Sequence, residues 1–542
     1  MAGKIPLSRT LPEVLGEQAQ LQGSHPAVIA DGVSTSYADL VARAHQVALA
    51  LLAMGVQPGD RVGVLMSNRV EWLEICLGTQ IVGATLVPIS TWSKPREIAF
   101  ILTDAAVRTL FAMAGFGSED FIASVAMLAA EPGWQVKDCI LVGAAAAEVP
   151  QPWLAYETVL RDASLSVPIP APVVKMAVQP QDDALILYTS GSTSTPKAVR
   201  LAHYGLIENG FHIGERMGLT AQDRVLVSVP LFWAYGSANA LPAIFTHGAT
   251  MVLQDRFEPK GSLALIEQHR CTALYTLPTM TAAMLAEPGF MPARTSSLRT
   301  GLTTGTPQDI ISAAVELGAQ QICNIYGSSE TYGNCCVTPG EWSLERRTAC
   351  QGPPLPGVTL RIVDAVSNEP APAGERGLIE VTGYLMRGYG GSSAILNSDV
   401  FTPDEWYRTG DIGYLTEAGD IVFCGRHSEM IKRAGINVSP AEVEDILMQH
   451  ADVAQAGVTG VPDARRGEII IATVVPSVGT MPTEAALLAH CRALASTYKV
   501  PDHILFRDRL PMTVTGKLMR NELKNNAVAA LAGDLQERGH DA

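Results

Sequence analysis

Between Leu187 and His203 the chain reads Leu-Tyr-Thr-Ser-Gly-Ser-Thr-Ser-Thr-Pro-Lys-Ala-Val-Arg-Leu-Ala-His. Thr189, Ser190, Ser192, Thr193, Ser194 and Thr195 crowd small hydroxyl side chains around Gly191, and Lys197 follows. Such a loop lets backbone N–H groups approach an anion closely and adds a point charge, which suits a triphosphate. Composition alone would equally allow a solvent loop. The spacing of Gly191 and Lys197 is that of a P-loop, G-x-x-x-x-G-K-[ST]. However, Pro196 replaces the second Gly and Ala198 the hydroxyl that would meet magnesium. Proline has no N–H to offer, which argues against a P-loop NTPase.

Four further segments carry reactive types. Asn324-Ile-Tyr-Gly-Ser-Ser-Glu330 places an aromatic, a glycine and a carboxylate at a strand end, where α/β proteins put ligand sites. Read alone, Glu330 is an ordinary acid and Tyr326 a core ring. Trp406-Tyr-Arg-Thr-Gly-Asp411 ends on a carboxylate that can accept from two ribose hydroxyls, and Gly425-Arg426 follows. Pro511-Met-Thr-Val-Thr-Gly-Lys-Leu-Met-Arg520 holds Lys517 in a glycine-preceded loop, ordinarily just a solvated charge.

In this order the five segments resemble the adenylate-forming enzymes: acyl-CoA synthetases, peptide-synthetase adenylation domains and luciferases. That family's loop is written [YF]-T-S-G-[ST]-T-G-x-P-K-G-V, and Ser194 and Ala198 stand here where it has glycine. Ser36-Tyr-Ala-Asp-Leu resembles an early family segment too, so the likeness spans nearly the whole chain. It implies attack of a carboxylate on the ATP α-phosphorus, giving acyl-AMP and pyrophosphate, then transfer of the acyl group to a thiol. ATP, Mg²⁺ and coenzyme A are the implied cofactor and substrates. By resemblance Thr189, Ser190, Gly191, Ser192, Thr193 and Lys197 hold phosphate, and Tyr326 stacks on adenine. Gly305, Thr306, Asn324, Ile325 and Gly327 complete the nucleotide site, and Ser329 meets phosphate. Glu330 binds magnesium, Asp411 the ribose, and Arg426 ribose or phosphate. Lys517 would stabilise charge on the α-phosphate. The family rotates its C-terminal domain between the two steps. Ser428, two residues after Arg426, stands at the pivot, where Asp, Lys or Glu is usual. Lys432 matches a lysine that approaches the adenylate after rotation, and Ala434-Gly435 match the loop lining the pantetheine tunnel.

The acyl pocket is implied at Trp233, Tyr235, Asn239, Leu302, Gly305, Ile325, Tyr332 and Asn334. Amino-acid-activating relatives carry Asp at the place of Trp233, and tryptophan cannot neutralise a buried ammonium. Ile325, where relatives often have glycine, shortens the pocket. These residues suggest a compact aromatic, alicyclic, oxygenated or medium-size acid. The expected activity is an acid–CoA ligase. Loading of a separate carrier protein, or a catalytically silent nucleotide-binding regulator, are the alternatives.

The elements that must position these residues follow from pattern. At 542 residues, with 47% hydrophobic and 17% charged, the chain exceeds one core. A net charge of −15 argues against nucleic acid or anionic membrane as partner. No apolar run has transmembrane length, and no secretory leader is visible. Nine cysteines without CxxC spacing point to a reducing, cytoplasmic setting. A homodimer is allowed. Apolar runs alternate with helical patterns through Asp60–Ile89 and on to Tyr326, predicting an α/β domain with largely parallel sheet. Ala184–Leu187 is a predicted strand, with a helix starting at Leu201. Beyond Gly352 shorter strands predict a small β-barrel or antiparallel sheet. The expected division is an N-terminal domain, 1–427, and a mobile α+β C-terminal domain, 428–542.

Overall fold

The computed structural model describes residues 9–166, 178–189, 196–433, 436–463, 465–513 and 518–539. The Pro-rich run Val167-Pro-Ile-Pro-Ala-Pro-Val, whose composition reads as a connector, lies outside them. The chain divides into two compact units, 1–359 with 381–407, and 360–380 with 408–542. Compactness therefore groups the short-stranded region after Gly352 with the C-terminal residues. The expected division at 427/428 concerns which residues move together, not which pack together.

The first unit is built on two eight-stranded sheets. In one, Arg61–Leu65 pairs in parallel with Thr85–Ile89 and Thr109–Met113, and Thr109–Met113 with Asp138–Val142. Asp183–Thr189 continues it beside Thr85–Ile89. In the other, Arg224–Val227, Thr250–Leu253, Ala273–Tyr275, Thr300–Thr303 and Gln321–Tyr326 run parallel. Continuous apolar strands such as Thr85–Ile89, buried at every residue, are what a sheet covered on both faces requires. Helix Tyr37–Ala53 starts after Ser36, whose Oγ accepts from the Asp39 N–H (3.1 Å) and caps it. Its buried Tyr37 donates to Ala249 O at 2.7 Å, tying the helix to the second sheet.

One expectation fails. Leu201 does not open a helix: Lys197–Ala202 is a strand, antiparallel to Asp183–Thr189, and the helix begins at His203. Asp183–Thr189 and Lys197–Ala202 are thus the two arms of a hairpin, because pairing to a long neighbouring strand outweighs the weak helical pattern of this short segment. Phe121–Ala129, in an Ala- and Gly-rich stretch with weak signals, is helical.

In the second unit, Thr359–Val363, Gly377–Thr382, Tyr407–Leu415 and Ile421–Arg426 form a four-stranded sheet. Ile431–Arg433 and Ile436–Val438 pair antiparallel. Helices Pro440–Met448 and Glu484–Leu494 cover the long pair Val453–Asp463 and Gly467–Pro476 around a core of Val443, Leu447, Val458, Ile470, Val474 and Leu487. All nine cysteines are free, and eight are buried. Among the described residues no helix is long and apolar enough to cross a membrane.

Candidate active site

The C-terminal ends of parallel strands in both sheets of the first unit carry part of the predicted set, the usual place for ligand sites in open α/β sheets. Thr189 closes its strand, and Lys197 opens the returning one in register with it. Ser190, Gly191, Ser192 and Thr193 lie outside the described residues. Lys197 Nζ sits 5.3 Å from the ring centroid of Tyr389. The Tyr389 hydroxyl donates to Glu330 Oε1 at 2.8 Å. Glu330 is buried in the turn Ser329–Thr331 after Gln321–Tyr326. Pattern reading missed Tyr389. Its signal is slight, an aromatic in Arg-Gly-Tyr-Gly-Gly, and only the strand pairing of Tyr389–Gly390 with Ala198 and Val199 brings it here.

Tyr326 and Asn324 are buried on the same strand. The Asn324 amide donates to Arg347 O (3.1 Å) and Cys350 O (3.0 Å), so its side chain holds that segment. Gly327 passes so close to the following turn that a Cβ would lie 2.5 Å from Asn334 Cα, which only glycine tolerates. Thr306 caps the helix Pro307–Ile311 and donates to Asp309 Oδ2 at 2.8 Å. Gly305 precedes it with φ +128°, a left-handed value suited to glycine.

The residues expected around the acid form an aromatic group. Trp233 meets Trp92 edge-on at 5.0 Å, and Trp92 meets Phe232 at 5.3 Å. Trp92 was not foreseen, since it follows a strand of the other sheet. Tyr235–Ala240 is a π-helical turn, a geometry frequent at functional sites. Tyr235 donates to Leu302 O at 2.9 Å, and Tyr275 to Asn239 Oδ1 at 2.9 Å. Burial pushes both phenols well above their usual range, so they stay neutral donors. Asn239 is fully buried, and its Nδ2 has no hydrogen-bond partner among the described residues. The Asn334 Nδ2 likewise has none. Leu302 and Ile325 are buried nearby on adjacent strands. Tyr332 is placed differently: its hydroxyl accepts from the Ala202 N–H at 3.0 Å and its ring lies over Gly205. It ties the returning strand and the helix at His203 to the turn after Glu330.

One buried asparagine connects the two sheets beneath this group. Asn68 donates to Val229 O (2.9 Å) and Gln254 O (3.0 Å), and its Oδ1 accepts from the Leu231 N–H (2.8 Å). Asn68→Ala leaves two carbonyls and one N–H without these partners, so we expect a loss of about 3 kcal/mol. Because Leu231 precedes Phe232-Trp233, KM for the acid should rise with it. Urea unfolding and acid titration would measure both, and an unchanged unfolding midpoint would contradict this account.

In the second unit Asp411 is buried, and Arg426 Nε lies 3.1 Å from its Oδ1. The two residues face each other in adjacent strands. Ser428 is exposed in the turn His427–Glu429. Lys432 is exposed on Ile431–Arg433, and among the described residues no carboxylate pairs with its ammonium. Its neighbour Arg433 is bound to Asp502 at 2.6 Å. Ala434, Gly435 and Lys517 lie outside the described residues; Met512 and Leu518 form an isolated antiparallel bridge.

Comparison with known proteins places this arrangement. The AMP-binding enzyme family matches residues 15–390, and the AMP-binding enzyme C-terminal domain matches 442–517. The putative acyl-CoA synthetase YngI of Bacillus subtilis is 30% identical, over 96% of this chain and 97% of its own. The feruloyl-CoA synthase of an Amycolatopsis species is 32% identical, over 94% and 97%. The crystal structure of the anthranilate CoA ligase AuaEII with anthranoyl-AMP superposes with a TM-score of 0.85 at 26% identity, covering 98% of this chain and all of that one. With both family models matching and relatives of similar length matching almost end to end, the chain belongs to the AMP-binding enzyme family and is an AMP-forming acid–thiol ligase.

Proposed function

We propose that the chain joins a compact aromatic or alicyclic acid, one bearing an oxygen away from its carboxylate, to coenzyme A. The observation that carries the acid class is the Trp92, Phe232 and Trp233 group, which offers ring surface and no carboxylate. Such a surface suits a ring and rejects an ammonium. The unpartnered Asn239 Nδ2 supports an acceptor oxygen on the substrate, since a buried donor left unpaired is costly. The feruloyl-CoA synthase and the anthranilate CoA ligase are named for acids of this size.

In the first step a carboxylate oxygen of the acid attacks the ATP α-phosphorus, and the bond to the β-phosphate oxygen breaks to release pyrophosphate. Lys197, Arg426 and Lys517 neutralise the phosphates, with Thr189, Ser190, Gly191, Ser192 and Thr193 cradling them. Tyr326 stacks on adenine, beside Gly305, Thr306, Asn324, Ile325 and Gly327; Ser329 donates to phosphate, and Asp411 accepts from ribose. Glu330 fits a magnesium site. Its Oε1 is taken by Tyr389, while no hydrogen bond to Oε2 is found among the described residues. Among those residues no group of three or more acidic, His or Cys side chains forms a cage. Mg²⁺ needs none, since it favours one or two carboxylates completed by phosphate and water. When bound it neutralises the leaving pyrophosphate.

In the second step the coenzyme A sulfur attacks the acyl carbon, and the carbon–oxygen bond to AMP breaks. Residues 428–542 turn about Ser428 to bring Lys432, Ala434 and Gly435 to the adenylate. The cytoplasm, with reduced thiols throughout, is the proposed setting.

A size-graded acid panel scored for both pyrophosphate and acyl-CoA tests this. Compact ring acids with a hydroxyl, amino or oxo substituent should give the highest kcat/KM, with both products. Pyrophosphate without acyl-CoA would instead support carrier-protein loading. On the same panel, Ile325→Gly should shift preference about 10-fold toward longer or bulkier acids, within the range set by one or two methylenes of pocket depth. Unchanged relative kcat/KM would remove Ile325 from the pocket wall.

A further inference from the structure

Tyr389 touches both charged groups that the proposed adenylation chemistry relies on in the first unit, and its own position is fixed from behind. It is buried, 2% exposed. Its backbone N–H donates to Asn397 Oδ1 at 2.7 Å, and its carbonyl accepts from Asn397 Nδ2 at 3.1 Å. Its strand pairs with Ala198 and Val199, the two residues after Lys197. Ser393, one turn on, accepts from the Ala198 N–H at 3.0 Å and donates to Gly390 O at 2.7 Å. Gly391 makes this turn possible, with φ +52° and Asp104 so close that a Cβ would lie 2.1 Å from its Oδ2. Asp104 in turn accepts from Tyr188, in the strand leading into the loop, at 2.8 Å. Segment 388–397 is therefore a strap across the base of the phosphate hairpin, and Tyr389 is the residue it aims inward.

We propose that Tyr389 is a positioning residue for the metal–triphosphate complex: its hydroxyl orients Glu330, and its ring holds the Lys197 ammonium. The chemistry follows from geometry. A phenol donating to Oε1 at 2.8 Å fixes the rotation of the carboxylate and leaves Oε2 to meet a cation. The ring face attracts the ammonium through its quadrupole without neutralising it, so the charge stays available to phosphate. A carboxylate in place of the ring would have quenched that charge. One side chain thereby sets the spacing between a cation and a metal ligand that must engage the same triphosphate. The inference rests on the proposed roles of Glu330 and Lys197.

The test separates hydroxyl from ring, using the full chain. The probe is Mn²⁺, followed by electron paramagnetic resonance in the presence of the non-reacting analogue α,β-methylene-ATP. Tyr389→Phe keeps the ring and removes the donor, so the Mn²⁺ dissociation constant should rise about 10-fold, as for other groups that orient a metal ligand. Analogue affinity measured without metal should stay within about twofold, because that reports on Lys197. Tyr389→Leu should weaken the analogue without metal as well. Thermal melting of Tyr389→Phe should match the parent chain. Unchanged Mn²⁺ affinity in Tyr389→Phe overturns the proposal, as does an equal loss of metal and analogue affinity with lowered melting, which marks a purely structural tyrosine. Glu330→Gln decides the underlying reading separately. If it leaves Mn²⁺ affinity intact, Glu330 is no metal ligand and the assignment of Tyr389 falls with it. If Glu330→Gln abolishes Mn²⁺ binding while Tyr389→Phe does not move it, only the tyrosine's role is refuted.

Discussion

Lys517→Ala is expected to lose acid-dependent pyrophosphate release by about 10²–10³, the usual cost of removing one charge from a preorganised phosphate site. The same variant should still convert supplied acyl-AMP and coenzyme A to thioester. Lys432→Ala should behave in the opposite sense, adenylating normally and forming thioester slowly. Under the proposed rotation of residues 428–542, each lysine serves a single step. Lys432 is suited to such a role, since it is exposed and no carboxylate pairs with it among the described residues, whereas its neighbour Arg433 is already committed to Asp502. Separate assays of the half-reactions, with thermal melting as control, would read the difference. Parallel losses in both steps with lowered melting would mark structural lysines. Adenylation by Lys517→Ala at the parent rate would refute the two-state account for this protein.

Ser428→Pro is the second variant with a large expected effect. Proline locks φ near −65°, so a turn that must change its backbone angles would be held in one state. Acyl-AMP should still form and remain bound, while overall acyl-CoA turnover falls by about 10²-fold or more, as expected where domain closure gates the second step. The contacts around Ser428 say what the proposed motion would have to change. Glu429 is held to Arg520 at 2.7 Å, and Arg520 to Glu444 at 2.7 Å, so the turn's far side belongs firmly to the C-terminal residues. Two other contacts join residues on either side of 428: Arg376 pairs with Glu442, and Ser439 Oγ donates to Cys424 O at 2.5 Å. Rotation about Ser428 must break both. Burst measurements of acyl-AMP beside steady-state turnover would test the variant, and normal turnover would place the pivot elsewhere.

The segments of the candidate site could be picked out in one dimension because each is short and local. A strand end, a glycine and a charged or hydroxyl residue lie within a few positions of one another in the sequence at Thr189, Gly327 and Asp411. Backbone geometry alone dictates such runs, so they survive in the order of residues. The strands themselves were readable for the same reason: Thr85–Ile89 and Gln321–Tyr326 are apolar runs, and helix Tyr37–Ala53 announces its start with Ser36.

What the tertiary structure alone decided are the partnerships between residues far apart in the chain. Lys197, Glu330 and Tyr389 meet only because a two-residue strand pairs with the returning arm of the phosphate hairpin. Trp92 joins Trp233 from the other sheet, across a junction that Asn68 holds by three backbone hydrogen bonds. Tyr332, two residues after Glu330, turns to Ala202 because its backbone takes φ +58° there. Leu201 is strand rather than helix because ladder bonds to Leu185 outweigh a local preference worth only tenths of a kcal/mol per residue. In each case the deciding energy is a long-range contact, which depends on chain topology and leaves no periodic trace in the residues themselves.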